Sequence, residues 1–350
     1  MIKYLGSKRL LVPTLGQLVA ASGAQSTLDL FTGTTRVAQE FCRQGTYTYA
    51  TDVASYSEVL AQCYVETDAE KVDYQELEDA LAHLQNLPPK AGYFTETYCQ
   101  KSRFFHPDNG AKIDAIRNGI DEHYANSPLR PILLTSLMEA ADAVDSTVGL
   151  QMAYLKSWAP RALRPLTLKV PELTPGTGKA IRGDALELVK TLPKVDLAYL
   201  DPPYNQHRYY TNYHIWETLI RWDEPEVYGI ACKRVDCKDL ETKSPFNSKK
   251  EMPEALAQVV TDTQADLLML SFNNEGFIPL AGLEEIVAAR GYPTHTLTFD
   301  FKRYVGAQIG IHSPTGEKVG QVSHTKNYEY VILSGPETKL QAMLESLPAQ

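Results

Sequence analysis

The chain has 350 residues, 43% of them apolar, which is enough for one large domain or for a core domain carrying a smaller one and excludes a peptide-sized module. No apolar run approaches the roughly 18 residues of a membrane span, and the chain opens into Lys3-Tyr4-Leu5 rather than a signal-peptide pattern, so a soluble, cytoplasmic protein without a membrane partner is expected. A formal net charge of −9 argues against a nucleic-acid partner, although net charge averages over surfaces that never meet one, and five scattered cysteines without a CxxC pair indicate neither a disulfide framework nor a zinc site.

In chain order, the apolar stretch Ser26 to Phe31 reads as a buried parallel strand that runs into Asp29-Leu30-Phe31-Thr32-Gly33-Thr34-Thr35 and then into helical spacing from Thr35 to Arg43. A glycine at such a corner lets the backbone approach a ligand, and small hydroxyl residues can cap the helix, although an ordinary strand-turn-helix corner looks the same. Tyr47 to Asp52 is a second short strand ending in an acid. In nucleoside-binding α/β folds an acid about 20 residues past the glycine turn binds ribose hydroxyls; the alternative is a cap for a helix from Ala54 to Cys63.

From 73 to 175 the pattern turns helical, with Leu77 to Leu84, Gly110 to His123 and Pro131 to Ala143 as the clearest stretches. The proline-rich segment Trp158 to Gly178 then leads back to strand-like runs. These are Val195 to Leu200, Asp266 to Phe272, Thr294 to Tyr304 and Tyr328 to Leu333, with helices at Leu280 to Arg290 and Glu337 to Leu347. The organisation expected is therefore one α/β domain, residues 1–72 and 176–350, with a mostly parallel sheet and a helical insertion at 73–175. Ligands in such folds gather at the carboxyl ends of strands, where the polar motifs sit.

Asp201-Pro202-Pro203-Tyr204, directly after an apolar strand, is the most informative of them. A carboxylate from Asp201 and a main-chain carbonyl from Pro202 can accept both hydrogens of a planar amino group and turn its lone pair toward an electrophile. Successive prolines hold that carbonyl rigid, and Tyr204 offers an aromatic face for stacking. Taken alone the tetrapeptide also reads as a plain turn. Basic and aromatic residues cluster at Lys101 to His106, Arg208 to Tyr213 and Lys302 to Tyr304, each of which also suits an ordinary solvated face. Asn205 to His214 equally reads as the start of a buried aromatic helix with Tyr213, Trp216 and Leu219 or Ile220 inside. The eight histidines show no metal-ligand spacing, so no metal is expected.

Lys3-Tyr4-Leu5-Gly6-Ser7-Lys8, the Phe31-Thr32-Gly33-Thr34 turn, Asp52 and Asp201 to Tyr204 follow one another in the order seen in Dam-like adenine-specific (N6) DNA methyltransferases, and the sequence resembles that family. The resemblance implies a Rossmann-like S-adenosylmethionine-dependent methyltransferase fold and methyl transfer from S-adenosylmethionine, leaving S-adenosylhomocysteine, to the amino group of an adenine flipped out of double-stranded DNA. It places Tyr4, Lys8, Asp29, Phe31, Gly33, Thr34, Asp52, Asp184, Ala185 and Asp201 at the donor, with Lys8 near the donor carboxylate and Asp184 near its adenine. Asp201, Pro202, Pro203 and Tyr204 become the catalytic group. Phe272-Asn273-Asn274 and Lys326 to Val331 resemble later core motifs. The helical insertion becomes the target-recognition region, with Arg103, Lys112 and Arg117, and beyond the catalytic loop Arg208, Tyr209 and Asn212, as candidate DNA contacts. A cognate restriction endonuclease is a partner the family suggests. Leu30 stands where the family often has proline, and Thr34 where serine or alanine is common. Methylation of RNA adenine or of protein glutamine, and a silent DNA-binding subunit of the same fold, remain open alternatives.

Overall fold

The computed structural model describes residues 2–6, 8–239, 242–302 and 326–348. Ser7, Arg303 and Tyr304, singled out above, lie outside them.

Four parallel strands carry the first half of the sheet: β1 (Ser26–Asp29), β2 (Tyr47–Asp52), β3 (Gly178–Arg182) and β4 (Val195–Leu200). A two-stranded hairpin, β5 (Val227–Tyr228) and β6 (Lys233–Arg234), stands apart. The main sheet continues with β7 (Ala265–Asn273), β8 (Thr294–Lys302) and β9 (Lys326–Ser334) in the order β3-β2-β1-β4-β7-β9-β8. Only β9 runs against its neighbours. The chain leaves β1 in one direction and returns to its other side at β4, so the sheet has a switch point between those strands, where a crevice opens at their carboxyl ends.

Period-two alternation in the buried strands explains the layers. Leu197, Tyr199, Leu267, Met269, Val331 and Leu333 point to one face, where they meet α1 (Val12–Ser22), α2 (Arg36–Arg43) and, near the end of the chain, α10 (Glu337–Glu345). Ala198, Leu200, Leu268, Leu270 and Ile332 point to the other and meet α8 (Met252–Asp262) and α9 (Leu280–Ala288). This is the doubly wound, Rossmann-like α/β fold with a mostly parallel sheet.

Between β2 and β3 the chain is helical, as its periodicity implies. It forms α3 (Ser55–Ala61), α4 (Tyr74–Asn86), α5 (Pro107–Tyr124) and α6 (Arg130–Ala143). These helices share one apolar core with α7 (His214–Arg221), whose Tyr213, Ile215, Trp216 and Leu219 are buried in it. The aromatic helix expected after the catalytic loop thus forms, and it completes the helical body from a distant part of the chain. Gln151 ties the two segments together: its Oε1 accepts from the Ile215 amide at 2.8 Å and its own amide donates to the Asn212 carbonyl at 2.9 Å.

Candidate active site

Three strand ends deliver three acids to one cleft. Asp29 ends β1, Asp52 ends β2, and Asp201 follows β4. Tyr4, Lys8, Phe31, Gly33, Thr34, Asp52, Asp184, Ala185, Pro202, Pro203 and Tyr204 line the same cleft with Asp29 and Asp201, so residues read from four separate motifs meet in one place.

The glycine turn is held by side chains on both flanks. Asp52 accepts from the Gly33 amide at 2.9 Å and, with its other oxygen, from the Ala54 amide at 3.0 Å, so it pins the turn and the start of α3 together. Gly33 has φ +50, and a Cβ there would lie 3.1 Å from the Tyr4 ring, so the turn needs glycine for conformation and for space. Asp29 Oδ2 takes the Thr32 hydroxyl at 2.9 Å and the Ala38 amide at 3.2 Å, whereas its buried Oδ1 has no hydrogen-bond partner. Burial pushes the Asp29 carboxyl up to about 7, against the pull of the Thr32 hydroxyl, and the nearby Asp201 adds to the rise. Burial also raises the Asp52 carboxyl.

Lys8 is the electrostatic centre. It is only 8% exposed, and its Nζ lies 2.9 Å from Asp201 Oδ1 and 2.6 Å from Glu329 Oε1, on the antiparallel strand β9. One ammonium therefore serves two carboxylates. Burial lifts the Asp201 carboxyl to about 6; Lys8 opposes that rise and Glu329 reinforces it. The Lys8 cation also lies 5.4 Å from the centre of the Tyr204 ring. Tyr204 itself is anchored by Phe272, with ring centroids 5.6 Å apart, and its carbonyl accepts from the Phe277 amide at 3.0 Å.

Tyr4, Tyr209 and Tyr213 form an aromatic cluster of nearly parallel rings, Tyr4 lying 5.2 Å from the Tyr209 ring and 4.6 Å from Tyr213, which are 6.4 Å from each other. The N-terminal motif is thereby docked on the segment after the catalytic loop, and the Leu5 amide donates to the Tyr213 hydroxyl at 2.6 Å.

The candidate DNA contacts divide. Arg117 is 1% exposed; its Nε and one terminal nitrogen donate to the Leu219 and Ile220 carbonyls at 2.8 and 3.1 Å, and it pairs with Asp121. It closes the carboxyl end of α7 inside the helical body, so the reading of Arg117 as a DNA contact is corrected. Lys112 donates to the Leu87 carbonyl at 2.6 Å and to that of Gln85, at the end of α4. Arg103 stacks on Trp158 at 5.0 Å and donates to the Leu155 and Lys156 carbonyls. Both are committed to internal partners. Asn212 is 5% exposed and lines a second cavity, whereas Tyr209, half-buried in the aromatic cluster, lines the main cleft. Arg208 lines both that cavity and the main cleft, as does Lys243, while His207 and Lys238 line the second only. A basic rim thus borders an acidic site on an acidic protein.

Sequence reading overlooked Arg36, Lys243 and Phe246, which line the cleft, and gave Glu329 no role of its own although it lies in the Lys326 to Val331 segment. Among the described residues no three His, Cys, Asp or Glu side chains, the three strand-end acids included, approach closely enough to hold a metal ion.

A switch-point crevice at the carboxyl ends of parallel strands, bordered by a glycine turn, is where α/β folds of this class take their ligands. The model of the D12 class N6 adenine-specific DNA methyltransferases matches residues 4–272, and the chain belongs to that family. It is 32% identical to the modification methylase StsI of Streptococcus sanguinis over 82% of this chain and 46% of that one. To the type II methyltransferase M.NlaIII of Neisseria lactamica it is 30% identical, over 81% of this chain and 87% of that one. The chain thus spans about half the length of StsI and most of M.NlaIII. Among solved structures, a precorrin-6y C5,15-methyltransferase from Geobacter metallireducens aligns over 96% of this chain and 93% of that one, with 9% identity and a TM-score of 0.32, a likeness too slight to carry an argument.

Proposed function

We propose that this chain methylates the exocyclic N6 of adenine in double-stranded DNA, taking the methyl group from S-adenosylmethionine. The observation that carries the reading is the position of Asp201: half-buried in the cleft that the glycine turn also lines, followed by two prolines, and sharing Lys8 with Glu329.

The cleft residues suit a zwitterionic sulfonium nucleoside. Asp52 lies where ribose hydroxyls would be accepted, Asp184 where the donor's adenine amino group would be, and the partnerless Asp29 Oδ1 can take an ammonium. When bound, S-adenosylmethionine supplies an electrophilic methyl group whose sulfur leaves neutral with the C–S electron pair.

Everything else falls to the chain's own groups. Asp201 and the Pro202 carbonyl accept the two amino hydrogens of the adenine and so release its lone pair from the ring. Tyr204, held by Phe272 and Lys8, provides the stacking face for the extruded base. Methylation leaves the nitrogen with a surplus proton. Asp201, with its carboxyl raised toward neutrality, accepts that proton and returns it to water. Arg208, Lys243 and Lys238 at the rim would hold the flanking phosphates. By likeness to StsI, which is named a modification methylase, we place the activity in restriction-modification, in the cytoplasm. No helix among the described residues is long and apolar enough to cross a membrane.

Transfer of labelled methyl into unmethylated duplex DNA, with the product base identified as N6-methyladenine, tests the reading. Labelling of RNA or of a protein glutamine with DNA left unlabelled would overturn it.

A further inference from the structure

The donor has an amino-acid tail whose carboxylate needs a cation, and Lys8, the family-implied candidate, is already held by Asp201 and Glu329. A donor carboxylate brought to Lys8 would be a third anion on one ammonium. Arg36 is placed differently. It is the first residue of α2, it lines the donor cleft, its buried Nε has no hydrogen-bond partner, and no described carboxylate forms an ion pair with it. The titratable groups nearest to it are Arg9, Glu139 and the neutral phenol of Tyr64. Arg9 repels it, and Glu139 accepts the Tyr64 hydroxyl at 2.5 Å.

The backbone points the same way. Thr35, ahead of α2, is buried at φ +62, a left-handed conformation unusual for a β-branched residue. In that conformation its hydroxyl donates to the Thr34 carbonyl at 2.7 Å and accepts from Gln39, and it caps no amide of the helix. Asp29 Oδ2 takes the Ala38 amide of this first turn at 3.2 Å, whereas Thr35 caps neither of the two amides ahead of it, those of Arg36 and Val37, which stand beside the guanidinium at the donor cleft. Amides at a helix start and a guanidinium together make an anion site.

We propose that Arg36, with the leading amides of α2 that Asp29 does not take, binds the carboxylate of the donor's amino-acid tail. Lys8 is left to position Asp201. The assignment rests on the donor reading above and needs no turnover to be tested. Calorimetry would compare S-adenosylhomocysteine with 5′-methylthioadenosine, which keeps the nucleoside and thioether but has no carboxylate. Arg36→Gln should weaken S-adenosylhomocysteine about 10- to 100-fold, the range of a charge-assisted hydrogen bond, and change 5′-methylthioadenosine less than about 2-fold. Arg36→Lys should recover part of the loss. A ratio of the two affinities that Arg36→Gln leaves unchanged would overturn the proposal. Should that variant fail to fold, the intact chain answers with the carboxamide of S-adenosylhomocysteine: about 10-fold weaker binding than the acid supports the site, and equal binding overturns it. Failure of the intact chain to bind either nucleoside would instead sink the donor site itself.

Discussion

The strand-end cleft and the helical body both bury charge, and they treat it in opposite ways. In the helical body Arg117 reaches the Leu219 and Ile220 carbonyls and Asp121, and Arg234 forks onto Asp223 and Asp236 at 2.7 to 3.1 Å. Those groups fix the structure. In the cleft, Asp29, Asp52 and Asp201 are all raised by burial, Asp29 keeps an oxygen without a partner, and one lysine serves two carboxylates. Groups left short of partners are the ones a ligand can complete.

The sharpest way to separate the regions is to remove one charge from each. Asp201→Ala should lower methyl transfer by about a thousand-fold or more, because the acceptor for the amino hydrogens is gone. Its urea unfolding midpoint should stay or rise, since a carboxylate held against its preference has been removed. Retained turnover in that variant would remove the role assigned to Asp201. Arg117→Ala should do the reverse, costing about 3 kcal/mol of stability, because two helix-end carbonyls and Asp121 lose their partner inside the core. The folded fraction should keep its affinity for DNA. Weakened DNA binding at unchanged stability would restore Arg117 to the interface.

The pH dependence is the next, smaller lever. As the pH falls through about 6, Asp201 takes up a proton and stops accepting hydrogen bonds, so kcat should decline along an acidic limb near that value. Lys8, Glu329, Asp29, Tyr199 and the loop residues Tyr204 and Tyr209 are the titratable groups around it. Glu329→Gln removes a negative neighbour and leaves Lys8 to Asp201 alone, so the limb should move to lower pH. Stability runs with the opposite sign. The folded pKa of Asp201 lies above its unfolded value of 3.8, so its contribution is present below that pH and is lost as the pH rises toward 6. A limb that Glu329→Gln does not move would show that Glu329 leaves Asp201 untouched.

The contrast also explains what the sequence could and could not disclose. Asp29, Gly33, Asp52 and Asp201 were legible because each ends a short apolar strand and carries its meaning within a few residues. Glu329 stood in a segment that resembled a core motif, but its pairing with Lys8 was not legible, because it depends on the antiparallel insertion of β9 beside β7, which no local pattern encodes. Arg36 offered one signal, a cation opening the helix after a glycine turn, but whether it is paired depends on where Glu139 and Arg9 fall. The cations of the helical body were misleading for a related reason. An arginine at helical spacing looks solvated until the fold brings two carbonyl ends against it, and α7, which supplies them to Arg117, comes from the far side of the catalytic loop. β3 escaped because Gly178–Arg182 is a short, polar-flanked edge strand with little apolar pattern.

The smallest effect belongs to the basic rim, and it tests whether the comparison extends to the surface. Lys238 lies 3.8 Å from the centre of the Tyr228 ring and forms no ion pair among the described residues, nor does Lys243, which lines both the cleft and the cavity beside it. Unlike Arg117, neither has a carboxylate or carbonyl partner among the described residues, so replacing Lys243 should leave stability unchanged and replacing Lys238 should cost at most about 1 kcal/mol, for its contact with Tyr228. Each phosphate contact removed should reduce the salt dependence of DNA binding by about one unit of log–log slope and raise the DNA KM several-fold, with kcat unmoved. Measured across 50 to 200 mM salt, roughly the range over which such contacts are felt, Lys238→Ala and Lys243→Ala should each flatten the slope. An unchanged slope with a lowered melting point would mean that the rim, too, is structural, and that DNA reaches Asp201 by another path.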